Sequence, residues 1–190
     1  NITLNAQNSG TFGRLILGLL INAPVPIRLI GDKSLSQRDF KRVTDPLSKF
    51  GAKFKLRKNK FLPLTIFGSK KLKSINYFEK KGSAQCKSSV IFGGIRAKGT
   101  TIIKARKSRN HLEIMLNHLN LPIKIKRKVN YDLIKVSEVN KIKKLNYNIP
   151  SDISSSAFFI VLTALSNDSK LIIKNVNINP SRIGVITILK

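Results

Sequence analysis

One cysteine, one methionine, two histidines, no tryptophan and nine acidic residues are all that 190 residues contain of these types. The lone cysteine, Cys86, excludes an intrachain disulfide and fits a reducing, cytoplasmic setting. His111 and His118 stand at no metal-ligand spacing with it, so neither a structural zinc site nor any other metal or cofactor is expected. No run of 18 apolar residues exists, which excludes an ordinary membrane-spanning helix. No run of five or six like charges forms a tail. The chain opens at Asn1 without a signal-type segment, and Met115 is its only methionine, so it is expected to be an internal piece of a longer protein.

What the chain has in excess is positive charge, a net +27 from 36 lysines and arginines. Such a charge first suggests a nucleic-acid binder. Its placement argues otherwise. The charges are mostly lysine and are spread along the chain, with small knots at Lys53–Lys60, Lys70–Lys73 and Lys124–Lys128. No aromatic RNA-binding motif, zinc-ligand set or basic zipper accompanies them. The expectation is a solvated lysine face with a minority of cations attracting an anionic substrate, and no nucleic-acid partner. With 42% hydrophobic residues the chain has enough apolar material for a globular core.

An internal repeat organises the chain. Asn8-Ser9-Gly10-Thr11, Gly82-Ser83-Ala84-Gln85 and Asp152-Ile153-Ser154-Ser155 are each followed by an apolar run, at Leu15–Ile21, Val90–Ile95 and Ala157–Leu165. Small polar residues before an apolar run are helix N-cap signals, so each run is expected to be a buried helix. Short β-rich segments follow at Ile27–Ile30, Thr100–Ile103 and Leu171–Ile173. Second helices are expected over Arg38–Phe50, Asn110–Leu119 and Ser181–Leu189. Alternating segments at Ala52–Leu56, Leu62–Phe67 and Tyr131–Val136 add strands. The repeat spacing is about 74 and then about 72 residues, longer than solenoid units. The fold class is therefore α/β, built from a repeated supersecondary module. A domain break is expected near Asn148–Asp152, with residues 1–148 forming most of a first lobe and residues 149–190 starting a second.

Helices opening with Ser, Thr or Gly offer free N–H groups and a partial positive charge, which makes them anion sites. Arg38 and Arg109, at the openings of second helices, have the fork that grips phosphate and carboxylate. Ser9, Thr11, Ser83, Gln85 and Ser108 add neutral donors. This points to a polyanionic small molecule. Other residues have plainer readings: Cys86 as a buried thiol, His111 as a structural hydrogen-bonder, Asp152 as an N-cap, Gly93-Gly94 as close packing and Arg14 as a core cap.

Six ordered motifs then carry a family resemblance. They are Asn8-Ser9-Gly10-Thr11 with Arg14; Gly31-Asp32-Lys33-Ser34-Leu35-Ser36-Gln37-Arg38; Gly82-Ser83-Ala84-Gln85-Cys86-Lys87-Ser88; Ser108-Arg109-Asn110-His111 with Glu113, Met115 and Leu116; Pro150-Ser151-Asp152-Ile153-Ser154-Ser155; and Asn179-Pro180-Ser181-Arg182-Ile183-Gly184. Together they resemble the EPSP synthase family along nearly the whole chain. The resemblance implies an enolpyruvyl transferase fold, with pseudo-threefold lobes of βαβαββ units forming inside-out α/β barrels. It implies transfer of the enolpyruvyl group of phosphoenolpyruvate to the 5-hydroxyl of shikimate 3-phosphate, by a cytoplasmic enzyme of aromatic amino acid biosynthesis expected to be monomeric. By the same resemblance, Ser83, Ala84, Gln85, Ser108 and Arg109 hold shikimate 3-phosphate. Gly10, Arg38 and Gln85 hold phosphoenolpyruvate, with Thr11 beside them. Gly10 also leaves room for an inhibitor such as glyphosate.

Departures from the family pattern are Asp39 where proline is usual, Asn110 for aspartate, Ser151 for glycine and the atypical Gln7. Asp39 is placed to compete for Arg38. The family's N-terminal lysine and serine loop and its acidic proton-transfer residues fall outside the chain. No catalytic residue is therefore assigned here, and the chain alone is expected to be inactive. The alternatives are a UDP-N-acetylglucosamine enolpyruvyl transferase, against which Ser83-Ala84-Gln85 speaks, and a non-enzymatic nucleic-acid binder.

Overall fold

Ser9 lies in extended backbone just ahead of α1 (Gly10–Leu19), and its Oγ accepts from the Phe12 N–H at 3.1 Å. Ser83 does the same for α3 (Ala84–Gly94), accepting from Cys86 at 3.3 Å. Asp152 caps α5 (Ile153–Leu165) through Ser154 at 3.1 Å. Each cap satisfies a donor that the first helical turn leaves without a partner. The three repeat signals thus mark three helix starts.

The computed structural model describes residues 2–142 and 144–189. It divides into two units, Asn1–Ser108 with Leu112–Ile142, and Arg109–His111 with Lys143–Lys190. The first unit contains two copies of one module. Copy one is β1 (Ile2–Asn5), α1, β2 (Ile27–Ile30), a 3-10 turn at Leu35–Gln37, α2 (Lys41–Ser48), β3 (Lys53–Arg57) and β4 (Phe61–Phe67). Copy two is β5 (Asn76–Glu79), α3, β6 (Thr100–Arg106), α4 (His111–His118), β7 (Ile123–Arg127) and β8 (Tyr131–Ser137). Each copy forms a four-stranded sheet, in the orders β1-β2-β4-β3 and β5-β6-β8-β7. In both, the first pair is parallel and the other pairs are antiparallel. The shared order is the βαβαββ module that the resemblance implies.

Alternation sets which face of each sheet is buried. Leu62, Leu64 and Ile66 of β4 point inward, as do Ile134 and Val136 of β8. The β3–β4 turn uses Lys58 and Asn59 at positive φ, 49° and 56°. One cluster of buried side chains runs from Ala6 to Val136 and joins both copies.

Helices α1 and α3 lie side by side with the same direction, and glycine allows the approach. A Cβ at Gly18 would stand 2.1 Å from the Ser89 carbonyl oxygen. At Gly93 it would meet the Phe50 ring at 2.9 Å, and at Gly94 the Val136 side chain at 2.5 Å. The glycine pair therefore serves close packing. Cys86 is buried in α3.

Four expectations need correction. The second helix of copy one does not start at Arg38. Arg38 is in extended backbone after the 3-10 turn, and α2 begins at Lys41, where the Asp39 carboxylate accepts the Lys41 N–H at 2.8 Å. Ser181–Leu189 is helical only over α6 (Gly184–Leu189). Leu171–Ile173 forms no strand, for it finds no ladder partner among the described residues; the β pairing described in the second unit is a bridge between Ser151 and Val176. The apolar run of α5 is also not buried: Phe158 is 80% exposed and Leu165 81%.

Candidate functional site

The parallel arrangement of α1 and α3 brings their capped N-termini to one end of the first unit. Gln85, in the first turn of α3, spans the gap. Its Nε2 donates to Thr11 Oγ1 at 2.8 Å, and its Oε1 accepts from Arg14 Nη1 at 2.7 Å. Ser89, one turn further along, donates from Oγ to the Arg14 carbonyl at 2.9 Å. The two helix openings, which offer N–H groups and partial positive charge, are thus locked together by side chains.

Gly10 is the point where the cations meet. A Cβ built on it would lie 3.2 Å from Nη1 of both Arg14 and Arg38. Arg14 is buried, and its guanidinium stands 5.4 Å from the centre of the Phe40 ring. Its Nε is a buried donor with no hydrogen-bond partner among the described residues. Burial, then the neighbouring charges of Arg42 and Arg38, hold the Arg14 guanidinium below its ordinary pKa, while Cys86 and Asp39 act in the opposite direction. Clustered guanidinium groups with a spare buried donor favour an anion over water, because a charge-assisted hydrogen bond is stronger than a neutral one.

Asp39 does not occupy this anion position. Its Oδ1 accepts the Lys41 N–H at the start of α2 and its Oδ2 lies 3.7 Å from Lys60 Nζ, so the departure from proline leaves Arg38 exposed and facing Gly10. Asp32 is the carboxylate that shapes the neighbouring loop. It accepts from Leu35 N–H at 2.7 Å and from the Asn8 side-chain amide, and these bonds, in that order, lower its pKa.

Ser83 and Ala84 open α3 beside Gln85. Ser83 N–H donates to Glu79 Oε2 at 2.8 Å, and Gly82 lies against the Lys107 carbonyl, 3.3 Å from its would-be Cβ. Ser83 and Ser108 directly follow these two residues in the chain. The Ser108 hydroxyl is buried and has no hydrogen-bond partner among the described residues. Arg109 is exposed and belongs to the second unit. In that unit Asn110 accepts through Oδ1 from Asn179 at 2.9 Å, so asparagine serves here as a loop acceptor.

Two features escaped sequence reading. Arg14 is not a simple core cap, since it links Gln85 to the Gly10–Arg38 cluster. Its signal was its place four residues after Gly10, on the same helix face. The other is the ion pair between Lys87 and Glu113, fully buried at 2.6 Å. Nothing in a lysine-rich sequence distinguishes one buried lysine from the solvated ones.

The profile of the family described as EPSP synthase (3-phosphoshikimate 1-carboxyvinyltransferase) matches residues 1–190. The chain belongs to the EPSP synthase family. It is 46% identical over 189 residues to the 3-phosphoshikimate 1-carboxyvinyltransferase of Caldicellulosiruptor bescii, covering 98% of this chain and 43% of that protein. The enzyme of the same name from Bacillus subtilis is 39% identical over 189 residues, with the same coverage. Among solved structures, EPSP synthase from Acinetobacter baumannii superposes with a TM-score of 0.84 at 35% identity, over 98% of this chain and 42% of that one. The chain thus spans about two fifths of the length of these relatives. The fold is that family's mixed α/β fold, and among the described residues no helix is long and apolar enough to cross a membrane.

Proposed function

We propose that this chain supplies part of the substrate site of an enzyme that transfers the enolpyruvyl group of phosphoenolpyruvate to shikimate 3-phosphate. In that reaction the 5-hydroxyl oxygen of the acceptor replaces the phosphate oxygen on the enol carbon, and inorganic phosphate leaves. Both substrates carry phosphate and carboxylate. The observation that carries the proposal is the convergence of Arg14 and Arg38 on Gly10 at paired helix N-termini, with Gln85 between them. Arg38 and the Gly10 backbone take phosphoenolpyruvate. Ser83, Ala84, Gln85, Ser108 and Arg109 take the phosphorylated acceptor, and Thr11 and Arg14 hold Gln85 in place. The buried Ser108 hydroxyl without a partner suits a ligand oxygen.

Preorganised donors of this kind bind and orient the anions. Proton transfer falls to residues outside the chain, so the chain alone turns nothing over. The same proposal places the complete enzyme in the cytoplasm, as a monomer independent of nucleic acid. Calorimetric titration of the complete protein with shikimate 3-phosphate tests it, beside Ser83→Ala and Arg109→Ala variants. Saturable binding weakened by both substitutions is expected. Wild-type affinity in both variants would remove the acceptor site from this lobe.

A further inference from the structure

A second basic surface lies at the other end of α1 and α3. Asn22 follows α1, Arg96 follows α3, and between them opens a cavity of about 680 Å³. Five cations line it: Lys70, Lys71, Lys73, Arg96 and Lys98. Glu138 is the single carboxylate in the lining. None of the five makes an ion pair among the described residues.

The cations are held in place by backbone. The connection from β4 to β5 is pinned where Ser69 N–H donates to the Ile21 carbonyl at 2.8 Å and Lys73 N–H to Phe50 at 3.1 Å. Ser74 N–H donates to the Lys98 carbonyl at 3.2 Å, and Lys73 and Lys98 form a parallel bridge. Lysines from two separate segments are therefore fixed side by side. The carbonyl ends of α1 and α3 offset part of this charge, but only by about half an elementary charge each. Five full charges against those two ends and Glu138 leave the cavity strongly positive.

We propose that this cavity binds a small, phosphate-dense anion, separate from the Gly10–Arg38 site. Its volume falls within the usual range for small-molecule sites, about 300–1,000 Å³. No aromatic ring lines it and Leu72 is the only large apolar side chain there, so nothing stacks on a base. Lysines are point charges suited to phosphate groups without a demand for planar geometry. An oligophosphate or a bisphosphorylated metabolite fits this lining.

The test uses the complete protein and inorganic tripolyphosphate as the probe, followed by calorimetry at two salt concentrations. One variant carries Lys71→Gln, Arg96→Gln and Lys98→Gln. A control carries Lys55→Gln, Lys124→Gln and Lys126→Gln, which removes the same charge from exposed strand positions. Arg38→Gln reports on the other anion site, and thermal melting verifies that each variant folds. One-site binding is expected, weakened roughly tenfold or more by the first triple variant and by less than about twofold in the control and Arg38→Gln. Equal weakening in the two triple variants would reduce the cavity to diffuse charge. Loss in Arg38→Gln would assign the probe to the first site. An absence of saturable binding, or duplex DNA displacing the probe through the same three side chains, would also overturn the proposal.

Discussion

Arg14 Nη1 donates to Gln85 Oε1 at 2.7 Å and so joins α1 to the first turn of α3 through two residues 71 apart in sequence. The bond fixes the amide so that its Nε2 reaches Thr11. Gln85→Ala removes both links and leaves another buried donor on Arg14 without a partner. A buried group stripped of its partner costs about 1–3 kcal/mol. Denaturant unfolding of the Gln85→Ala protein should show a loss of that size, and affinity for shikimate 3-phosphate should fall with it. Unchanged stability would mean that water replaces the amide without penalty.

Gly10 and Gly18 lie on the same helix but resist a methyl group for different reasons. At Gly18 the added carbon would sit 2.1 Å from a backbone oxygen, so α1 and α3 must move apart. Gly18→Ala should therefore destabilise by about 1–3 kcal/mol, as overpacked cores do. At Gly10 the nearest atoms are the ends of two flexible arginines at 3.2 Å, which can shift by a few tenths of an ångström. Gly10→Ala should keep its melting temperature and lose affinity for phosphoenolpyruvate in the complete enzyme. A large fall in melting temperature at Gly10, or none at Gly18, would reverse this assignment.

Much of the module could be read from the chain because its signals are local. Ser9, Ser83 and Asp152 mark helix starts through capping, and capping depends on a few adjacent residues. The alternation at Phe61–Phe67 reveals a half-buried strand in the same way. Ile2–Asn5, Asn76–Glu79 and Ile123–Arg127 were missed because four or five residues hold too little pattern to separate strand from loop. Leu171–Ile173 failed for the opposite reason, since β-rich composition makes no strand without a partner. The candidate site was legible as separate motifs. The bridging role of Arg14 was not, because it depends on the packing of α1 against α3.

Asp32 ties the loop after β2 to the loop after β1. Its carboxylate accepts from Leu35 N–H and the Asn8 amide, and its own N–H donates to the Gln7 carbonyl at 2.8 Å. These bonds favour the charged form, so its pKa is lowered in the folded protein. A lowered carboxyl contributes stability above its unfolded value, about 3.9, and loses it as pH falls through the folded value. The stability difference between wild type and Asp32→Asn should thus be constant at neutral pH and shrink below about pH 4. Chemical unfolding at a series of pH values measures it. A difference that grows on acidification would contradict the sign.

Lys87 and Glu113 form the one fully buried ion pair among the described residues, joining α3 to α4 at 2.6 Å. Two charges taken out of water pay a large desolvation penalty, which their attraction only balances when both are present. Removing one partner should therefore be worse than removing both. Glu113→Gln is expected to cost about 3–5 kcal/mol in urea unfolding, since it leaves the ammonium buried without its counter-charge. Lys87→Met with Glu113→Leu, which keeps the volume and removes both charges, should recover most of that loss. Gln85 lies in the first turn of α3 and Ser108 just ahead of α4, so the double variant also separates two roles. If stability returns and shikimate 3-phosphate affinity returns with it, the pair serves only packing. If stability returns and affinity stays low, the pair sets the positions of the donors at the two helix openings.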